Sequence, residues 1–114
     1  MQMRLLLDEP VPARLRRALP PHSVHTVGVD FRERGWSGVK NGKLLALAAV
    51  EFDAFVTVDK NLPYQQNLTT LPIAVVVLDA ISIELPALLP LMPALELELS
   101  SLRPKTYVRI AAGA

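Results

Sequence analysis

The sequence has no cysteine, few aromatic residues and no long apolar run. Without cysteine, the chain can form neither a disulfide framework nor a zinc site with thiolate ligands. Its unbroken apolar runs, for example residues 73–78, are far shorter than the roughly 20 residues that a transmembrane helix requires. Residues 1–9 carry Arg4, Asp8 and Glu9 around three leucines, which is not typical of a signal peptide. We therefore expect a cytoplasmic protein with no membrane partner.

The sequence does have a high apolar content and an uneven charge distribution. Hydrophobic residues make up 51% of the 114 residues, which is enough for a single domain, residues 1–114, with a buried core. The mean hydropathy of +0.31 predicts a partner interface, for which a second copy of the chain is one candidate. Residues 1–45 contain eight Lys and Arg against four Asp and Glu, whereas residues 46–114 contain four against seven. We favour a solvated basic surface over one that faces nucleic acid.

Hydrophobic periodicity predicts alternating strands and helices. Short apolar or alternating runs predict strands, and apolar residues at helical spacing predict helices. Prolines end the first helix and should divide a leucine-rich helical segment near the C-terminus. The predicted elements are strand 3–7, helix 10–19, strand 23–27, a long loop 28–38 around Trp36, helix 41–52, strand 54–58, a link 60–72, strand 73–78, a broken helical segment 82–102 and an edge strand 106–110. This order predicts an α/β three-layer sandwich with a mostly parallel central sheet, in which the first strand lies between the second and the third.

Two aspartates, Asp8 and Asp59, each follow a predicted buried strand directly. In a parallel α/β sheet, ligands bind beyond the carboxyl ends of the strands, at the point where the strand order reverses. Two carboxylates about 4 Å apart repel each other by about 4 kcal/mol at an effective dielectric constant of about 20, so such a pair requires a cation, a proton or hydrogen-bond donors. We therefore predict a divalent metal site that hydrolyses phosphodiester bonds. Asp79 follows the next strand, where we favour a turn-forming role.

The order of these motifs resembles that of the small bacterial PIN-like proteins related to VapC-type toxins. The resemblance rests on residues 6–10 (LLDEP) and on residues 55–59 (FVTVD) after an apolar helix, and it covers residues 3–78. It implies a PIN-like fold and a ribonuclease that uses Mg²⁺ or Mn²⁺ bound by Asp8 and Asp59, with Glu9 as a supporting ligand. It also implies an RNA substrate and neutralisation by a small antitoxin protein.

Two positions depart from the family pattern. Relatives have an acidic stretch early in the second helix, where this chain has Asn41 and Lys43, and a second acid two residues after the third-strand aspartate, where it has Asn61. The loss of two negative ligands should weaken metal binding, although asparagine can supply a carbonyl oxygen. We expect the crevice to be lined by Asn41, Lys43, Lys60 and Asn61. Lys43 would pair with Asp59 or contact phosphate.

Two other functions are also candidates. The first is a non-catalytic interaction module, in which leucines of residues 85–102 contact a partner, although we favour ordinary core packing for these leucines. The second is a phosphoacceptor receiver domain, which also has acids at the ends of the first and third strands. That fold requires a full helix in the link 60–72, a hydroxyl after the fourth strand and a lysine after the fifth. This chain instead has two prolines in the link, Asp79 after the fourth strand and Lys105 before the fifth, so we rank this function last.

Overall fold

The structure is a computed structural model that describes residues 2–20, 22–27, 39 and 41–111. The predicted loop 28–38 with Trp36 lies outside these ranges, as does the side chain of Asn41. None of the described helices has the length and apolarity needed to cross a bilayer. The strands are β1 (Arg4–Leu7), β2 (Ser23–Thr26), β3 (Ala54–Thr57), β4 (Ala74–Asp79) and β5 (Tyr107–Ala111). The helices are α1 (Asn41–Glu51), α2 (Leu62–Gln65), α3 (Leu85–Leu88) and α4 (Met92–Ser101), with 3₁₀ helices at Ala13–Ala18 and Leu89–Leu91.

The five strands form one parallel sheet with the order β2-β1-β3-β4-β5, which confirms the predicted fold class. Leu7 at the end of β1 lies opposite Thr26 of β2 on one side and Val56 of β3 on the other. The chain thus moves outward from β1 to β2 and then returns past β1 to β3. The strand order therefore reverses between β1 and β3, and β5 is the predicted edge strand beside β4.

Two hydrophobic clusters, one on each face of the sheet, form the core. Successive strand residues point to opposite faces, so Leu5 and Leu7 enter one cluster and Leu6 enters the other. The first cluster includes buried residues of the first 3₁₀ helix, α3 and α4. The second includes residues of α1 and α2, and we call its side of the sheet the α1 face. β4 contributes to both clusters, which explains its unbroken apolar sequence.

The first helix differs from its prediction. Residues 10–19 were expected to form an α-helix, but the structure has a 3₁₀ helix, Ala13–Ala18. The Leu15 N–H donates to the Pro12 carbonyl, only three residues back, at 3.0 Å. Prolines supply no N–H, so the segment between Pro12 and Pro20 is short. Within it, more N–H groups can reach a carbonyl three residues back, as in a 3₁₀ helix, than one four residues back, as in an α-helix. Apolar residues at helical spacing predict that Leu15 faces inward and its arginine neighbours outward, and the structure confirms this, because Leu15 is buried and the arginines are exposed.

The leucine-rich segment is broken as predicted, into α3, a 3₁₀ helix and α4. Four of its leucines are buried in the core, namely Leu88, Leu91, Leu95 and Leu99. Leu89 and Leu97 are exposed, so core packing accounts for most but not all of these side chains. There are two smaller differences. The apolar spacing of residues 41–52 predicts that Val50 faces inward, but it is exposed. The link 60–72 contains the short helix α2.

Candidate functional site

Asp8 is fixed at the end of β1 by hydrogen bonds to both its backbone and its side chain. Its backbone N–H donates to the Val56 carbonyl at 2.9 Å, which continues the pairing of β1 with β3. Its Oδ2 accepts a hydrogen bond from the Thr57 hydroxyl at 2.7 Å, and its Oδ1 accepts one from the Glu9 N–H at 2.8 Å. Asp8 and Thr57 are both buried. The carboxylate is therefore held in one orientation.

Asp59, two residues beyond β3, is connected to Asp8 through the same hydroxyl. The Asp59 N–H donates to Thr57 Oγ1 at 3.1 Å, which is possible because a hydroxyl can donate one hydrogen bond and accept others. Asp59 Oδ1 accepts a hydrogen bond from the Asn61 N–H at 2.9 Å, which forms an Asx turn leading into α2. Thr57 thus joins the Asp8 carboxylate to the Asp59 backbone where the strand order reverses.

Burial is the main reason why the pKa of Asp8 is raised above its ordinary value of 3.8. The negative charges of Asp59 and Glu9 raise this pKa further. The hydrogen bonds from Thr57 and from the Glu9 backbone act in the opposite direction. A divalent cation between Asp8 and Asp59 would offset their repulsion, because positive charge favours the ionised form.

The raised pKa of Asp8 should make the effect of Asp8→Asn on stability depend on pH. The folded state binds the Asp8 proton more tightly than the unfolded state does, so this group adds stability below its unfolded pKa and loses that contribution as the pH rises through the folded pKa. In EDTA, Asp8→Asn should therefore destabilise the protein most at acidic pH and less near neutrality. Urea unfolding of both proteins from about pH 3 to about pH 7 measures this difference. A destabilisation that grows with pH would contradict it.

A second charged cluster is formed by Lys60, Asp79 and Arg109. It lies at the same edge of the sheet as Asp8, where the parallel strands end. Lys60 Nζ is 3.0 Å from Asp79 Oδ1 and donates to the Ala80 carbonyl at 2.9 Å. Arg109 donates from Nε to Asp79 Oδ2 at 2.7 Å and forms a further hydrogen bond from its Nη2. Lys60, followed by Arg109, lowers the pKa of Asp79. Asp79 is thus the common anion of two cations.

The other predicted site residues lie around this edge. Glu9 is exposed beside Asp8, and Asn61 is exposed beyond Asp59. Lys43 is exposed in the first turn of α1, and within the described residues it forms no ion pair with Asp59. A Cβ atom on Gly42 would lie 3.7 Å from the Gln66 Oε1 atom, so the start of α1 adjoins the end of α2.

Asp8 and Asp59, which we call the acidic pair, have the chemistry of a magnesium site with few protein ligands. Within the ranges that the structure describes, no group of three or more histidine, aspartate or glutamate side chains is arranged to hold a metal ion. Asp8 and Asp59 would supply two carboxylates, and waters and substrate phosphates commonly complete the octahedron around Mg²⁺. Their oxygen atoms and mutual repulsion fit a hard divalent cation.

Two features of this edge were not predicted from the sequence. The linking role of Thr57 had one available signal, which is a hydroxyl inside the otherwise apolar residues 55–58. The pairing of Asp79 with Lys60 and Arg109 had no local signal, because it depends on how β4 pairs with β3 and with β5.

Comparisons of the chain with protein-family models, with curated proteins and with solved structures found no match. Its function is therefore inferred from the fold, the acidic pair and the neighbouring cations.

Proposed function

We propose that this protein is a PIN-like ribonuclease that requires Mg²⁺ or Mn²⁺ and acts in the cytoplasm. The observation that carries this proposal is that the Thr57 hydroxyl forms hydrogen bonds with both the Asp8 carboxylate and the Asp59 backbone. This linkage lies between β1 and β3, where the strand order reverses and where parallel α/β sheets bind ligands. The burial of Asp8 close to a second negative charge supports a cation as that ligand.

The residues at this edge would divide the work of phosphodiester hydrolysis. A bound Mg²⁺ or Mn²⁺ ion supplies a water of lowered pKa and neutralises charge on the phosphate. Asp8 and Asp59 would hold the ion, with Glu9 as a supporting carboxylate, and Thr57 would keep Asp8 in position. Lys60 donates to Asp79 and Ala80, which leaves one of its three hydrogens for a phosphate oxygen. Asn41, Lys43 and Asn61 would line the crevice around the substrate.

We further propose that a small antitoxin protein covers this edge and neutralises the enzyme. Four large apolar side chains in and near the leucine-rich segment are exposed, namely Ile81, Ile83, Leu89 and Leu97. Exposed apolar surface of this kind is typical of protein interfaces. Ile81 and Lys60 line the same shallow depression, so a partner bound at Ile81 would also obstruct access to Lys60.

Metal binding and RNA cleavage together test the ribonuclease proposal. We expect calorimetric titration to show Mn²⁺ binding to the wild-type protein and none to Asp8→Asn at the same pH and salt. We also expect a labelled single-stranded RNA to be cleaved in Mn²⁺ but not in EDTA. If the wild-type protein neither binds Mn²⁺ nor cleaves RNA, the proposal fails and the interaction module becomes the leading function.

A further inference from the structure

We propose that Lys60, Tyr64 and Arg109 bind single-stranded RNA, with one base stacked on the Tyr64 ring and backbone phosphates held by the two cations. This inference rests on the proposed ribonuclease function and describes how its substrate is held. The three side chains come from the β3–α2 connection, from α2 and from β5. We call this set the stacking platform.

Tyr64 presents an aromatic ring to solvent from a fixed backbone. The residue is 88% exposed, whereas Leu62 in the same helix is fully buried and anchors α2 to the core. The Asx turn at Asp59 precedes the helix, and the Tyr64 N–H donates to the Asn61 carbonyl at 2.9 Å. Pro63 further restricts the chain beside the ring. The ring is exposed and its backbone is already ordered, so it can stack on a base with little loss of backbone entropy.

Arg109 lies on the same face of the sheet as Tyr64. Tyr107 packs against the cluster on the α1 face, and Arg109 points to the same side because it follows two residues later in β5. Leu62 belongs to that cluster, so α2 covers this face as well. The pKa of Arg109 is raised mainly by its hydrogen bond with Asp79, and the Tyr64 phenol contributes in the same direction. The aromatic ring and the guanidinium therefore share one surface.

The charges of the stacking platform suit a polyanion. The side chains of Lys60 and Arg109 are 55% and 60% exposed, whereas that of Asp79 between them is 17% exposed. Two cations around one carboxylate leave one positive charge in excess, and the cations are the more accessible groups. Asp79 also holds both side chains in position, which reduces the entropy lost when they bind phosphate. Arg109 has five donors, so its bonds to Asp79 leave others available.

An exposed ring beside accessible cations favours single-stranded RNA over a duplex. Aromatic rings stack on bases that are splayed from a strand, whereas the bases of a duplex are covered by their neighbours. The acidic pair lies at the same edge of the sheet, so a strand held by the platform can present its phosphates to Asp8 and Asp59.

Equilibrium binding of a labelled single-stranded RNA in EDTA, where the metal is removed, tests the platform separately from cleavage. Fluorescence anisotropy should show that Tyr64→Ala raises the Kd roughly tenfold, because stacking on one base is lost. Tyr64→Phe, which keeps the ring, should bind like the wild-type protein. Val50→Ala removes an exposed apolar side chain from the last turn of α1, close to the start of β3, and is the matched control that should leave the Kd unchanged. Removing the charge with Arg109→Met should reduce the slope of log Kd against log salt by about 0.7.

The outcomes separate the platform from the ribonuclease. If the wild-type protein does not bind the RNA, or if Tyr64→Ala binds as tightly as Val50→Ala, the platform is refuted even where cleavage occurs. The platform would also be refuted if a duplex of the same sequence bound more tightly than the single strand. The same holds if Tyr64→Ala bound RNA normally but lost a protein partner. If RNA binding depends on Tyr64 but no cleavage occurs in Mn²⁺, the proposed platform is supported and the proposed ribonuclease function is refuted.

Discussion

Replacing Asp59 with asparagine should lower the rate of Mn²⁺-dependent RNA cleavage about a hundredfold or more. The substitution removes a negative charge from the proposed metal site, and metal-assisted charge stabilisation contributes several kcal/mol to such reactions. Asparagine keeps a side-chain oxygen that can accept the hydrogen bond from the Asn61 N–H, so the turn into α2 should persist. Asp8→Asn should have an effect of similar size. Initial cleavage rates at the Mn²⁺ concentration that saturates the wild-type protein measure both variants.

Asp53→Asn is the matched control for these substitutions. Asp53 is exposed, and its Oδ2 accepts a hydrogen bond from the Arg4 N–H at 2.8 Å at the opposite edge of the sheet, where β1 and β3 begin. The same chemical change there should leave the cleavage rate within about twofold, since no metal site is proposed at that edge. If Asp59→Asn and Asp53→Asn cleave at the same rate, the acidic pair is not the active site.

Replacing Leu95 with alanine should lower the free energy of unfolding by about 3 kcal/mol. Leu95 on α4 is fully buried in the cluster opposite the α1 face, so truncation removes apolar contacts and leaves a cavity. Urea unfolding followed by circular dichroism measures the loss as a lower midpoint with an unchanged slope.

Leu97 provides an internal control for this prediction, because it has the same side chain on the same helix. It is 74% exposed, and Leu97→Ala should change the free energy of unfolding by less than about 0.5 kcal/mol. Equal destabilisation by the two substitutions would mean that the orientation of α4 is wrong. If the chain forms dimers through this surface, Leu97→Ala should instead weaken dimerisation, which sedimentation at several concentrations would detect.

The sheet was predictable because its strands have strong and separate sequence signals. β4 is apolar without interruption, which is required of a strand that contributes to the clusters on both faces. β5 alternates, as expected of a strand at an edge. The arrangement of β1 between β2 and β3 followed from the handedness of the crossovers rather than from any single residue.

The errors have local causes that apolar periodicity does not detect. The first helix was assigned from the spacing of its apolar residues, and that spacing is satisfied by a 3₁₀ helix between prolines. Val50 is apolar and lies at helical spacing with buried neighbours on α1, yet its position on the helix turns it towards solvent. Helix α2 is only four residues long and begins next to Pro63, so it is too short to produce a periodic signal.

The candidate site was predictable in position but not in its bonding. Asp8 and Asp59 could be brought together because each follows a strand and the two strands are neighbours. The linking hydroxyl of Thr57 required the pairing register, since Leu7 opposite Val56 sets Asp8 beside Thr57. Asp79 and Arg109 are thirty residues apart, and their contact required the pairing of β4 with β5.

Because all five strands are parallel, the order in which the chain is synthesised controls when the acidic pair can form. No neighbouring strands can be joined by a tight hairpin, so each pairing must close a long loop, and such topologies fold slowly. β3 pairs with β1 but follows it by 49 residues, counted from Leu5 to its partner Ala54. A nascent chain that ends before Thr57 has β1 and β2 but neither the hydroxyl nor Asp59. The two halves of the acidic pair therefore meet only after β3 has left the ribosome.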